Sequence, residues 1–124
     1  MNIDNSPNNP EKRFQRLLGY HIHMLRLMKG YSQKSIADKL KKSPNAVSNW
    51  ELGNTSPSVD DLISLCDMFE VTPNQIFGRD ECPELKAYID QTENLFSKVE
   101  ELKKQKKEIE QQLKAYNQKI NRKE

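Results

Sequence analysis

Only four glycines and two cysteines occur among the 124 residues, and no two glycines are close enough to build a Gly-rich loop. A phosphate-cradling loop of the nucleotide-binding kind is therefore excluded, and no GxSxG nucleophile turn is present either. Cys66 and Cys82 are too far apart for a CxxC pair, which argues against a redox or zinc site built on them. Cys66 shares the apolar face of a helical segment with Leu62, Leu65 and Phe69, so both cysteines are read as reduced thiols. No run approaches the roughly 20 apolar residues that a bilayer span requires. The N-terminal MNIDNSPNNP lacks the apolar stretch of a secretory signal, and the expected localisation is cytoplasmic.

What is abundant is charge. Asp, Glu, Lys and Arg make up 31% of the chain, and mean hydropathy is strongly negative. Such a balance would leave a chain unfolded were the apolar residues not set at regular helical intervals. The net charge of +2 hides a segregation. Between Lys12 and Asn49 stand Lys12, Arg13, Arg16, Arg26, Lys29, Lys34, Lys39, Lys41 and Lys42 against Asp38 alone. Between Trp50 and Pro83 the acids Glu51, Asp60, Asp61, Asp67, Glu70, Asp80 and Glu81 face only Arg79. A positive face on a small domain is the footprint expected for a polyanion.

The periodicity and stop signals predict five helices. Residues 1–10 are rich in Asn and Pro and are expected to be a disordered leader. A first helix over 11–29 carries Phe14, Leu17, Leu18, Ile22 and Leu25 at three- and four-residue steps and stops at Gly30. Ser32 caps a second helix, whose inner face is Ile36, Ala37 and Leu40, with Tyr31 placed to staple onto Ile36. Ser43 caps a third, with Pro44 at its first position and Gly53 at its end. Ser58 caps a fourth, where Asp61 is expected to complete a capping box. Thr72, Pro73 and Gln75 open a fifth, which Gly78 ends. No alternating strand pattern occurs, so the fold class is all-α.

Helices two and three are short, are joined by a tight turn, and the second of them presents small polar residues. That is the pattern of a helix-turn-helix, whose second helix enters the DNA major groove. On that helix Ala46, Val47 and Trp50 share the inward face, leaving Asn45, Ser48, Asn49 and Leu52 outward, with Pro44 at the tip. Short amides there can reach base edges, and Asn can bond adenine through two hydrogen bonds. Ser32, Gln33, Lys41, Lys42 and Ser43 surround the turn and are the candidates for backbone phosphates.

From Phe14 to Phe77 these residues resemble the Cro/cI-like (XRE) family of helix-turn-helix regulators. SQKSIADKL is similar to the family's second helix, SPNAVSNWELG to its recognition helix, and SPSVDDLISLCDMFEVTPNQIF to its last two helices. The resemblance implies a five-helix lambda-repressor-like domain at 11–78. It also implies a phosphate contact by Gln33, base contacts by Pro44, Asn45, Ser48 and Asn49, and a structural pair of Arg26 with Glu51. The chain departs from the family pattern at Lys41 and Lys42, where a glycine and an apolar residue are usual, and at Leu52, where a polar residue is more common.

After RDECP at 79–83, expected to be a linker, composition changes to Lys, Glu and Gln with apolar residues every three or four positions. Taking Leu85 as heptad position a places Thr92, Val99, Lys106, Leu113 and Ile120 at a, and Tyr88, Leu95, Leu102, Ile109 and Tyr116 at d. Residues 84–124 are thus expected to form a long coiled-coil helix, about 60 Å at ~1.5 Å per residue. Dimerisation is assigned to Leu95, Val99, Leu102, Lys106, Ile109, Leu113 and Ile120. The a and d residue types favour a parallel pair, while Lys98 opposite Lys103 disfavours it, so the antiparallel arrangement stays open.

His21 and His23 form HxH, but residues two apart on a helix face different ways, and no metal or cofactor is expected. The reading is a sequence-specific DNA-binding transcriptional regulator, a dimeric repressor without enzymatic activity, bound to double-stranded DNA and to no small-molecule ligand or membrane. The alternative is a protein interaction module such as an antitoxin.

Overall fold

The helical spacings yield an all-α chain. The computed structural model describes residues 10–122. A single 3-10 turn at Pro10–Lys12 leads into α1 (Arg13–Lys29), α2 (Gln33–Leu40), α3 (Pro44–Leu52), α4 (Val59–Phe69), α5 (Pro73–Ile76) and α6 (Pro83–Arg122). The expected leader, apart from Pro10, lies outside the described residues, as do residues 123–124 of the expected coiled-coil segment.

Local chemistry sets the helix ends. Ser32, Ser43 and Ser58 each accept a hydrogen bond at Oγ from the backbone N–H three residues on, at 3.0, 3.1 and 3.1 Å, which satisfies donors that no helical carbonyl can reach. Thr72 and Gln75 bond reciprocally in a capping box, and this holds α5 although it is only four residues long. The expected capping box on α4 is not seen: the Asp61 carboxylate turns instead to Lys42 Nζ, 3.3 Å away. Gly30 and Gly53 close α1 and α3 in the left-handed region. α2 and α4 close in the same conformation on Lys41 and Glu70, with φ of 57° and 58°, where a side chain is strained.

The core gathers Leu18, Ile22 and Leu25 of α1, Ile36 and Ala37 of α2, Val47 and Trp50 of α3, Leu65, Cys66 and Phe69 of α4, and Ile76 of α5, all buried. Removing such side chains from water contributes roughly 1.5–3 kcal/mol each. Phe14 and Leu17 fit the same spacing in sequence but stay 62% and 40% exposed. They belong to the first turns of α1, ahead of its buried stretch, and Phe14 instead lies under the Arg79 guanidinium, 5.7 Å from the ring centre.

The chain divides into two compact units, the first ending at Tyr88 and the second starting at Ile89. Leu85, the first a position of the heptad, is buried at 4% exposure within the first unit. Pro83 opens α6, so the helix begins inside the segment expected to be a linker. In the second unit the side chains from Glu93 to Arg122 are exposed. No described helix is long and apolar enough to cross a membrane.

Candidate nucleic-acid interface

The position of α3 is set by its contact with α1. Gly19 faces the main chain of α3 so closely that an added Cβ would stand 2.2 Å from the Trp50 carbonyl oxygen and 2.9 Å from that of Glu51. At the end of α3 the Cβ-less Gly53 packs on Arg16, where an added Cβ would meet Arg16 Cγ at 2.7 Å. Two glycines, one within α1 and one closing α3, thus allow an approach that no larger residue permits.

Charge fixes the same joint. Arg26 of α1 donates from Nε to Glu51 Oε2 at 2.8 Å and from Nη2 to Glu51 Oε1 at 2.9 Å, while Nη1 donates to the Tyr31 carbonyl at 3.0 Å. The fork therefore ties α1, the turn before α2, and α3 with charge-assisted bonds. His23 Nδ1 donates to the Glu51 carboxylate as well. Burial pushes the Glu51 carboxyl up, but the hydrogen bonds from Arg26, His23 and Gln33 and the Arg26 charge outweigh it, and its pKa lies below the ordinary value. Among the described residues every buried side-chain nitrogen and oxygen has a partner.

With its inner face held this way, α3 turns Pro44 and Asn45 fully outward, and Ser48 and Asn49 are half-buried beside them. Asn49 is not wholly committed to the outside, since its Oδ1 accepts from Asn54 Nδ2 at 3.3 Å. Leu52 completes the outer stripe at 66% exposure. A cleft of about 190 Å³ lined by Tyr20, His23, Gln33, Ser48, Glu51 and Leu52 opens beside it.

The phosphate candidates divide by circumstance. Ser32 and Ser43 are exposed caps, and Lys41 is exposed at the strained end of α2. Gln33 is half-buried and its side chain already bonds Glu51. Lys42 is engaged by Asp61. The basic block is thus partly neutralised from within, since Lys29 also stands 3.8 Å from Glu70 and 3.9 Å from Glu84.

The two histidines take different partners: His21 Nδ1 donates to the Ile76 carbonyl at 2.7 Å, on the side away from Glu51. No group of three or more metal-ligating residues occurs among the described residues. In the second unit, the apolar residues assigned to dimerisation lie exposed along one helix, from 45% for Ile120 to 65% for Leu95, and the Lys106 side chain is 78% exposed with Nζ 3.9 Å from Glu110.

Sequence reasoning missed Gly19, His23 and Asp61 as parts of this architecture. Gly19 had a readable signal, an isolated glycine inside a strong helical pattern. His23 stands three residues before Arg26 on the same helix face, a spacing that brings both to one acceptor. Asp61 had no comparable mark, because its pairing with Lys42 depends on the turn between α3 and α4.

Comparison with known proteins agrees with this geometry. Residues 22–76 match the family described as helix-turn-helix. Over 64 residues the chain is 34% identical to the HTH-type transcriptional regulator ImmR of Bacillus subtilis (strain 168), a stretch covering 52% of this chain and 50% of that protein. The chain therefore matches about half the length of that relative.

Proposed function

We propose, from the premise that residues 22–76 are a helix-turn-helix domain of the Cro/cI-like (XRE) kind, that this chain is a DNA-binding transcriptional regulator reading an operator with the outer face of α3. The observation that carries the reading is the division of that short helix. Val47 and Trp50 are buried, Pro44 and Asn45 are exposed, and the Arg26–Glu51 fork holds the helix to α1 from beneath. A helix anchored on one side and lined with small polar groups on the other suits the major groove. Pro44, Asn45, Ser48 and Asn49 supply the base contacts, and Ser32, Gln33, Lys41, Lys42 and Ser43 the phosphate contacts. The likeness to a transcriptional regulator supports the same assignment.

The seam of α6 pairs two copies, so that two recognition helices meet two half-sites about one helical turn apart. Occupancy of an operator overlapping a promoter excludes polymerase, which makes the chain a repressor. The test is DNA selection followed by a salt series. A regulator yields a selected palindrome with affinity falling steeply as salt rises. Asn45→Ala flattens the base preference, while Lys41→Ala weakens all sequences alike and lowers the salt slope by about 1. A protein interaction module such as an antitoxin yields no selected sequence and no such slope.

A further inference from the structure

The exposed stripe of α6 keeps a seven-residue repeat, with Val99, Lys106, Leu113 and Ile120 at one position and Leu95, Leu102, Ile109 and Tyr116 at the other. The helix runs unbroken over Pro83–Arg122, and the apolar members of the stripe are exposed. A straight α-helix drifts by about 20° per heptad, so a stripe kept in seven-residue phase faces one way only when the helix supercoils about another. Its occupant is therefore a helix with the same repeat.

Resting on the dimer reading above, we propose that this occupant is α6 of a second copy, parallel and in register, and that Lys106 is the residue that sets the register. Lys106 is the one charged residue at a or d between Leu95 and Ile120. In register it meets its own counterpart. A slip of one heptad sets it against Val99 or Leu113, and an antiparallel pairing, which mixes a with d, sets it against an apolar residue such as Leu102 or Ile109. Each alternative puts an ammonium into an apolar layer. Val99 and Ile120 at a with Leu95 and Leu102 at d also favour two parallel strands. The reversed pair, Ile109 at d and Leu113 at a, directly follows Lys106, a polar layer that two strands can hydrate at their rim and a closed four-strand core cannot.

The ion pairs within the helix answer the like-charge objections. Lys106 Nζ lies 3.9 Å from Glu110 Oε1, which draws the ammonium out of the seam toward a rim position that faces Gln105 of the second copy. The other conflict in a parallel pair is Lys98 against Lys103. Lys103 Nζ is 3.5 Å from Glu100, on the side turned from Lys98 of the second copy.

The test uses the full chain with Cys82→Ser, so that no other accessible thiol competes. Sedimentation equilibrium establishes the state of the parent protein, and a monomer at tens of micromolar removes the dimer reading itself along with this inference. With a dimer in hand, Leu102→Cys and, separately, Ile120→Cys are oxidised mildly and run on a non-reducing gel. Parallel in-register pairing gives a covalent dimer from each variant alone. A sedimenting dimer that self-links at neither position overturns the orientation while leaving dimerisation intact. Lys106→Leu is expected to tighten association at least about tenfold and to yield mixed oligomers or registers; a single dimer of unchanged dissociation constant overturns the role of Lys106.

Discussion

Gly19 of α1 lies against the main chain of Trp50, with room for no more than a hydrogen where a Cβ would come within 2.2 Å of the carbonyl oxygen. The contact sets how closely α3 sits on its support. Both partners are backbone, so neither can swing aside. Gly19→Ala is expected to destabilise the domain by about 3 kcal/mol, at the upper end of overpacking costs, despite the better helix propensity of alanine. Urea denaturation of the full chain measures it, and an unchanged midpoint would contradict the contact.

Lys41 and Glu70 end their helices at positive φ, where glycine is at ease and other residues are strained by roughly 1 kcal/mol. Glu70→Gly should therefore raise stability by up to about 0.5 kcal/mol, after the entropy of the freer unfolded chain is subtracted. Lys41→Gly should stabilise by a similar amount and at the same time weaken DNA binding, because it removes a candidate phosphate contact. Thermal unfolding and a binding titration on the same two variants separate the effects.

Asp61 holds Lys42 at 3.3 Å, beside the turn between α2 and α3. The Lys42 side chain is 42% exposed, so the pair contributes little to stability, yet it competes with any phosphate for the same ammonium. Asp61→Asn is expected to tighten DNA binding a few-fold and to steepen the salt dependence by up to about one counterion. Titrations at several salt concentrations check this, with unfolding curves of the variant as control.

Glu51 titrates below the ordinary carboxylate value of 4.5 because Arg26, His23 and Gln33 bond its charged form. A depressed folded pKa contributes stability that is present above about pH 4.5 and is lost as pH falls through the lower folded value. Unfolding free energy should therefore decline with acid below pH 4.5, and Glu51→Gln should be less stable at neutral pH with a flatter acid limb. Equal acid limbs for variant and parent would show that the carboxylate does not carry the effect.

The helices and their ends were legible because the signals are local. A serine or threonine cap, a proline at the first position and a glycine at the end act within a few residues of themselves, and α2, α3 and α5 follow them. The outer face of α3 was equally readable from the spacing of Val47 and Trp50. What spacing alone misjudged was burial at an element's edge: Phe14 and Leu17 fit the apolar period of α1 yet remain exposed, since periodicity says which way a side chain points and not whether anything lies there. The fate of the charges was also hidden. The alternation of a basic block and an acidic block was plain, but which lysines the acids neutralise depends on the path of the chain, so Lys42 meeting Asp61 and Lys29 meeting Glu70 and Glu84 were not.

By itself the sequence determined the helical class, the positions of the caps, the small polar face of α3 and the seven-residue apolar repeat along α6, because each is a matter of periodicity or of chemistry between near neighbours. Tertiary structure alone decided that Gly19 admits α3 against α1, that Glu51 gathers Arg26, His23 and Gln33 beneath α3, and that Lys42 is already partnered by Asp61. Those relationships join residues some 18 to 32 positions apart, and only packing brings such groups within reach of one another.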